Sequence, residues 1–459
     1  MRINSFGLQN FRLFGEKKQS IHLSDDKNIV IILGNNGTGK TSILDSLALS
    51  LAPYVDSFPN EGNGPRTKAF ADNDIHLVDV NERAPFACVE AVIDGCPVRR
   101  VKKWKEAYGS EAPETSIKAL KELAKRHFSS MVANSKLAEK MRTQYEEFAV
   151  EEILPIIAYY GTDRGQIYVP ERKRNFRKVF NRWDCYSGAL LAATDFKRFF
   201  SWFDLQEDEE RRQHERDRNF RYKNKQLKFV KDALEIFIGD KFSNPRTETH
   251  PLRFVVNDCH DGKELRIEQL SDGYKMIIAM VADIASRMAE ANPDMVNPLY
   301  AQGVVLIDEI DLHLHPLWQR KVLQQLHETF RYVQFIVTTH SPSIVLGAAD
   351  IAQVLKLEDG KIINCDEDYR YYDVSQVLLS SMFDSVPTRT PRCEETLKKR
   401  DILLEKGSKI SSKEKAKLVE LDKEVSKFAF GESQESLQLK RDILNILSQE
   451  KANAKNKKK

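Results

Sequence analysis

The octapeptide Gly34-Asn35-Asn36-Gly37-Thr38-Gly39-Lys40-Thr41 has the spacing G-x-x-x-x-G-K-[ST]. Glycines so placed let backbone N–H groups curl around phosphate oxygens at a helix N-terminus. The Lys40 ammonium would neutralise β and γ charges, and the Thr41 hydroxyl would reach Mg²⁺. Together with Ser42, these residues form the expected nucleotide cradle. A second constellation is Gly303-Val304-Val305-Leu306-Ile307-Asp308-Glu309, an apolar run ending in two carboxylates. Asp308 would hold Mg²⁺ through water, and Glu309 would polarise a water in line with the γ-phosphate. The chemistry implied is hydrolysis of ATP with Mg²⁺.

Three further motifs narrow the class. Leu270-Ser271-Asp272-Gly273-Tyr274 resembles the ABC signature Leu-Ser-Gly-Gly-Gln, departing from it at Asp272 and Tyr274. That resemblance implies that Ser271 and the Gly273 amide meet the γ-phosphate bound by a second copy of the chain. A serine N-cap opening a helix explains the same residues. Thr339-His340-Ser341-Pro342 is similar to the switch-histidine segment of that superfamily, and Asp311 stands where its D-loop crosses the dimer interface. Gln166 or Thr162 could take the glutamine-loop role. His313 and His315 alternate as metal ligands might, but no acidic or cysteine partner is placed to complete a site, and no zinc is expected.

The elements that must position these groups are legible in outline. Asn28–Leu33 is the apolar run of a strand buried on both faces, and the following Ile43, Leu44, Leu47, Ala48 and Leu51 recur at helical spacing. The fold class expected is α/β: an ABC-type P-loop ATPase head with a mixed or parallel sheet, helical insertions and a C-terminal helical segment. Residues 1–52 would form the first part of the ATPase lobe. Residues 53–150 would be an insertion of a hairpin around Asp94-Gly95 followed by charged helix. Residues 151–169 would return to the core, and 170–238 would be a helical, basic and aromatic insertion. Residues 239–386 would complete the core, and 387–459 would be a helical hairpin with a basic tail. In that hairpin Leu418, Leu421, Val425 and Phe428 share one face, Ser411-Ser412-Lys413-Glu414 reads as a capping box, and a second helix follows Gly431. It could dock a partner or pack on its own core.

With 71 Lys plus Arg against 68 Asp plus Glu in 459 residues, net charge does not mark a nucleic-acid binder, so such a surface needs local clusters. Two exist, Arg172 to Arg182 and Arg211 to Lys228, readable as a site for double-stranded DNA or as solvated faces laced with acids. The six scattered cysteines fit a reduced cytoplasmic setting. No stretch approaches the ~20 apolar residues of a spanning helix, and no membrane contact is expected.

The order of motifs, with Asn10-Phe11-Arg12-Leu13-Phe14 at the start, resembles the RecF and SMC branch of ABC ATPases. The Tyr159-Tyr160-Gly161-Thr162 strand end, the Phe199–Phe203 segment before Glu207–Glu210, and Asp373–Leu378 resemble the PtuA family, ATPases of the Septu anti-phage systems also found beside some retrons. The likeness extends over about residues 1–392. It implies an ATP-bridged dimer or higher oligomer that regulates a separate HNH nuclease. A RecF-like DNA-binding clamp in repair is the alternative.

Overall fold

The computed structural model describes residues 1–60, 66–80, 82–104, 112–141, 153–165, 180–192, 196–218, 220–249, 252–365, 368–383, 389–405 and 411–425. Two units are separable, residues 1–377 and 378–459.

The first unit is built on a six-stranded sheet ordered Lys361–Asn364, Ala352–Glu358, Ile29–Leu33, Val333–Thr339, Gly303–Ile307 and Ile156–Tyr160. All neighbours are parallel except the Lys361–Asn364 edge strand. Three inner strands and the Ile156–Tyr160 edge strand are buried along their whole length, as expected of apolar runs covered on both faces. The fold is therefore α/β with a mixed sheet.

A second, antiparallel sheet runs Gln19–His22, Ile3–Gln9, Phe86–Ile93, Cys96–Lys103. The last two strands are the expected hairpin. Asp94 (φ 46°) and Gly95 (φ 70°) both lie in the left-handed region, which suits a two-residue turn whose twist matches the strands. The hairpin was expected inside an insertion. Instead Phe86–Ile93 pairs with Ile3–Gln9, so it completes the first lobe and packs on the helix Lys40–Val55.

The charged helix expected from Ser116 is Lys118–Met141, and residues 142–152 lie outside those described. In the second expected insertion, the helices Lys197–Asp217 and Lys225–Ile238 flank the helix Asp272–Ala291. Phe199, Phe200, Trp202 and Phe203 are fully buried, with Phe254 edge-on to the three phenylalanines at 5.4–6.0 Å. This aromatic set is core. Beneath it, Asp283 accepts from Tyr160 Oη (2.8 Å) and Arg287 Nε (2.7 Å), while Arg198 pairs with Asp283 and Glu290. No helix among the described residues is long and apolar enough to cross a membrane.

In the second unit the helices Pro391–Glu405 and Ser412–Val425 pair, joined by Arg392–Glu424 (2.8 Å) and Arg400–Asp422 (2.6 Å). The capping box is formed: Glu414 N donates to Ser411 Oγ (3.3 Å), and Ser411 N donates to Glu414 Oε2 (3.0 Å). The hairpin partner is thus the upstream helix, while the helix expected after Gly431 and the basic tail lie outside the described residues.

Candidate nucleotide-binding site

Parallel register brings the motifs to one edge of the sheet. Leu33 pairs with Thr339 and Ile307 with Val337, so the segments 34–41, 308–309 and 340–341 all leave the carboxyl ends of neighbouring strands, where open α/β sheets bind ligands.

The loop is shaped by its glycines. Gly37 (φ 81°) and Gly39 (φ 105°) adopt conformations that L side chains avoid, and a Cβ on Gly34 would come 3.0 Å from Leu357 O. Asn35, Asn36 and Gly37 are exposed, and Thr38 Oγ1 donates to Asn35 O (2.8 Å). Lys40 is buried, with Nζ donating to Gly34 O (2.7 Å) and Asn35 O (3.0 Å). Burial lowers its pKa, against the pull of Glu309, Asp308 and Asp311. The helix begins at Lys40 without a side-chain cap, which leaves its first N–H groups to the loop side; Ser42 is buried on its first turn.

Thr41 Oγ1 donates to Asp308 Oδ2 (2.6 Å), so the two expected metal-holding groups are adjacent. A hydroxyl and a carboxylate at one point beside a phosphate loop fit Mg²⁺, which takes few protein ligands and fills its octahedron with water and phosphate oxygens. Among the described residues no cluster of three His, Cys, Asp or Glu could hold a metal by itself. His315 instead caps the short helix Pro316–Gln319, its Nδ1 accepting from Leu317 N (3.3 Å).

The structure adds one residue that spacing did not reveal. Thr338, fully buried, donates Oγ1–H to Asp308 Oδ1 (2.5 Å) and accepts from Glu309 N (2.7 Å). It orients both acids at once. Its sequence signal is weak, one of two adjacent hydroxyls closing the strand Val333–Thr339. Glu309 sits at φ 46°, costly for a non-glycine residue by about 1–3 kcal/mol and characteristic of functional positions.

Asp311 is tied to the strand end that carries His340. It is buried, accepts from Thr339 Oγ1, and its Oδ2 lies 3.4 Å from His340 Nε2. One hydrogen bond and one ion-pair contact inside its own chain hold the Asp311 carboxylate. The His340 ring is half exposed. Gln319 Nε2 donates to Asp311 O (3.3 Å), and Ser341 Oγ donates to Gln319 Oε1 (2.7 Å), which fastens the two loops together.

Ser271 occupies the N-cap of Asp272–Ala291, yet its side chain makes no cap bond and the residue is exposed. A Cβ on Gly273 would come 2.7 Å from His313 O, so only glycine lets this helix start abut the 312–315 loop. Of the two departures from the signature, Asp272 pairs with Lys275 (3.1 Å) and Tyr274 packs edge-on to Phe242 and Trp318. No hydrogen bond or ion pair among the described residues joins Ser271 to Lys40, Thr41 or Asp308. Thr162 opens the turn 162–165, and Gln166 lies outside the described residues.

The family described as "AAA domain" matches residues 5–237, just over half of the sequence. This chain belongs to that family. A second AAA-domain family matches 166–346. The chain is 27% identical to a "Retron Vc95 probable ATPase" of Vibrio cholerae serotype O1 biovar El Tor, over 81% of this chain and 75% of the relative. It is also 27% identical to a "Retron Ec83 probable ATPase" of Escherichia coli, over 86% and 78%. A "Septu protein PtuA" of Bacillus mycoides (strain KBAB4) is 24% identical over 93% of this chain, which spans half of that relative. Among solved structures, an SMC head bound to a winged-helix domain of ScpA aligns with TM-score 0.43 at 17% identity, covering 80% of this chain and 98% of that one. The chain thus carries an AAA domain, and its relatives include two probable retron ATPases and a Septu PtuA protein.

Proposed function

We propose that this chain hydrolyses ATP at a site shared between two copies of itself, and that occupancy of the site restrains or licenses a separate HNH nuclease in anti-phage defence. The observation that carries the reading is Ser271: an exposed, uncommitted hydroxyl at the N-terminus of a 20-residue helix, contributing nothing to the Lys40–Thr41–Asp308 cluster of its own chain. Helix N-termini attract anions, and this one suits the γ-phosphate held by a second copy.

In that mechanism residues 34–42 cradle the phosphates, and Lys40 exchanges its carbonyl partners for β and γ oxygens. Thr41 and Asp308 would hold Mg²⁺, which supplies charge neutralisation across the β and γ phosphates. Glu309, aimed by Thr338, accepts hydrogen bonds from the attacking water and aligns it. His340, held by Asp311, reaches the γ-phosphate and reports its loss. The nuclease partner is inferred from the name of the PtuA relative together with the family resemblance. The test is Glu309→Gln with ATP and Mg²⁺. We expect hydrolysis to fall by at least about 100-fold and light scattering to show a lasting dimer. A chain that hydrolyses normally, or stays monomeric with ATP bound, would sink the reading.

A second reading, an ATP-driven clamp on DNA, has one observation in its favour. Arg212, Arg218 and Lys223 make no ion pair among the described residues, and Phe220, 80% exposed, stands among them. Other cations of the clusters are engaged: Arg211 with Asp208 (2.7 Å), Arg216 with Asp217 (3.0 Å), and Arg182 Nε with Ala291 O (2.7 Å). Residues 172–179 lie outside the described ones. Binding of duplex DNA by the chain alone, falling steeply with salt, would favour this second reading.

A further inference from the structure

Beside Ser271 opens a cavity of about 450 Å³ whose walls include Lys241, Tyr274, Leu317, Trp318 and Lys321. Lys241 Nζ lies 5.0 Å from the Tyr274 ring centre and Tyr274 meets Trp318 edge-on at 5.6 Å. Leu317 is 66% exposed at its rim, and Lys321 makes no ion pair among the described residues. The lining is mainly apolar, with two lysines, Lys241 and Lys321, against one acid, Asp240.

The phosphate loop carries a matching surface. Leu13 is 54% exposed and rests on Gly39, its Cδ1 3.5 Å from where a glycine Cβ would stand. Its carbonyl lies 3.6 Å from the corresponding point on Gly360, so Leu13 abuts the turn Asp359-Gly360. Asp359, exposed and in the left-handed region (φ 48°), makes no ion pair among the described residues. Here an apolar knob is edged by an acid.

We infer that Leu13 of one copy seats in the Tyr274–Trp318 cavity of the other, with Asp359 facing Lys321. The inference rests on the shared-site reading. A two-fold pair that sets one copy's phosphate loop against the other's Ser271 carries the neighbours of each into contact, and does so twice. Leu13 and Asp359 on one side, and Leu317 and Lys321 on the other, are exposed, and they are complementary in polarity and charge. The cavity is therefore a dimer socket whose occupant is a second copy of this chain, and it helps to position the composite site without touching the nucleotide.

The experiment uses the full chain carrying Glu309→Gln, with ATP and Mg²⁺, followed by sedimentation velocity over a concentration series. A fluorescent ATP analogue measures binding by the dilute single chain. Adding Leu13→Asp is expected to weaken dimerisation at least about 30-fold, two buried leucines being lost per pair, while single-chain ATP affinity stays within about twofold. Lys321→Glu is expected to weaken it about 5- to 10-fold, and Lys321→Glu with Asp359→Lys to recover most of that loss. If the Glu309→Gln parent does not dimerise with ATP, the shared-site reading falls and takes this inference with it. If the parent dimerises and Leu13→Asp dimerises equally well, only the socket is refuted. A loss of single-chain ATP affinity matching the loss of dimer also refutes it, because Leu13 would then be a nucleotide contact.

Discussion

Replacing Thr338 by valine keeps the shape of a fully buried side chain and removes one hydroxyl. That hydroxyl makes two hydrogen bonds, 2.5 Å to Asp308 Oδ1 and 2.7 Å from Glu309 N. A hydrogen bond to a charged group contributes about 1.5–3 kcal/mol and a neutral one about 0.5–1.5 kcal/mol. The pair is therefore worth about 2–4 kcal/mol. Asp308 keeps its bond from Thr41, so the fold survives; the strained Glu309 backbone loses the anchor that holds it at φ 46°. If the acids' alignment is used in the transition state, the same energy appears in kcat as a fall of about 30- to 1,000-fold. KM for ATP should move little, since Lys40 and the loop carbonyls are untouched. Phosphate-release kinetics and thermal unfolding of the purified chain measure both quantities, with Thr338→Ser as the variant that restores the hydroxyl and the rate. A Thr338→Val enzyme that melts several degrees lower yet turns over within threefold of the parent would show that the bonds serve folding alone, and the orienting role would be wrong.

Gly273→Ala drives a methyl to about 2.7 Å from the His313 carbonyl, so the start of the signature helix must shift; ATP-dependent dimerisation of the Glu309→Gln chain should fall at least about 10-fold, with single-chain ATP binding unchanged. Burial, with Asp184 nearby, raises the Glu290 carboxyl from 4.5 to about 7 against the opposing pull of Arg198 and Arg287. Its folded pKa exceeds its unfolded one, so the folded chain holds the extra proton between those values and stability falls as pH rises from about 4.5 to 7, by about 3 kcal/mol in all. Glu290→Gln should flatten that part of the curve in denaturant titrations at pH 5 and pH 8, and an unchanged slope would refute the assignment.

What could be read in the sequence was what is contiguous. The phosphate loop, the acid pair and the Asp94-Gly95 turn each depend on neighbours in the chain, and their residue types state their conformations. Thr338 could not be found that way, because its bond to Asp308 spans 30 positions and exists only through the parallel register of two strands. The hairpin 86–103 was legible as a hairpin, but its third strand, Ile3–Gln9, is about 80 residues away and shares no pattern that names it. Asp311 was legible as a position, but not its partners Thr339 and His340, which lie nearly 30 residues on and meet it only in the fold. The phenylalanines at 199–203 are read correctly only with Phe254 in view.

The position of Ile29–Leu33 in its sheet has a consequence for synthesis. Its neighbours are Val333–Thr339 and Ala352–Glu358, so the strand that feeds the phosphate loop waits for about 300 residues before it can pair. At about 5–20 residues per second that is roughly 15–60 s on the ribosome with an apolar strand exposed. Nascent chains of this protein should therefore depend on holding chaperones, and a ribosome stalled before residue 333 would release a fragment unable to complete its nucleotide pocket.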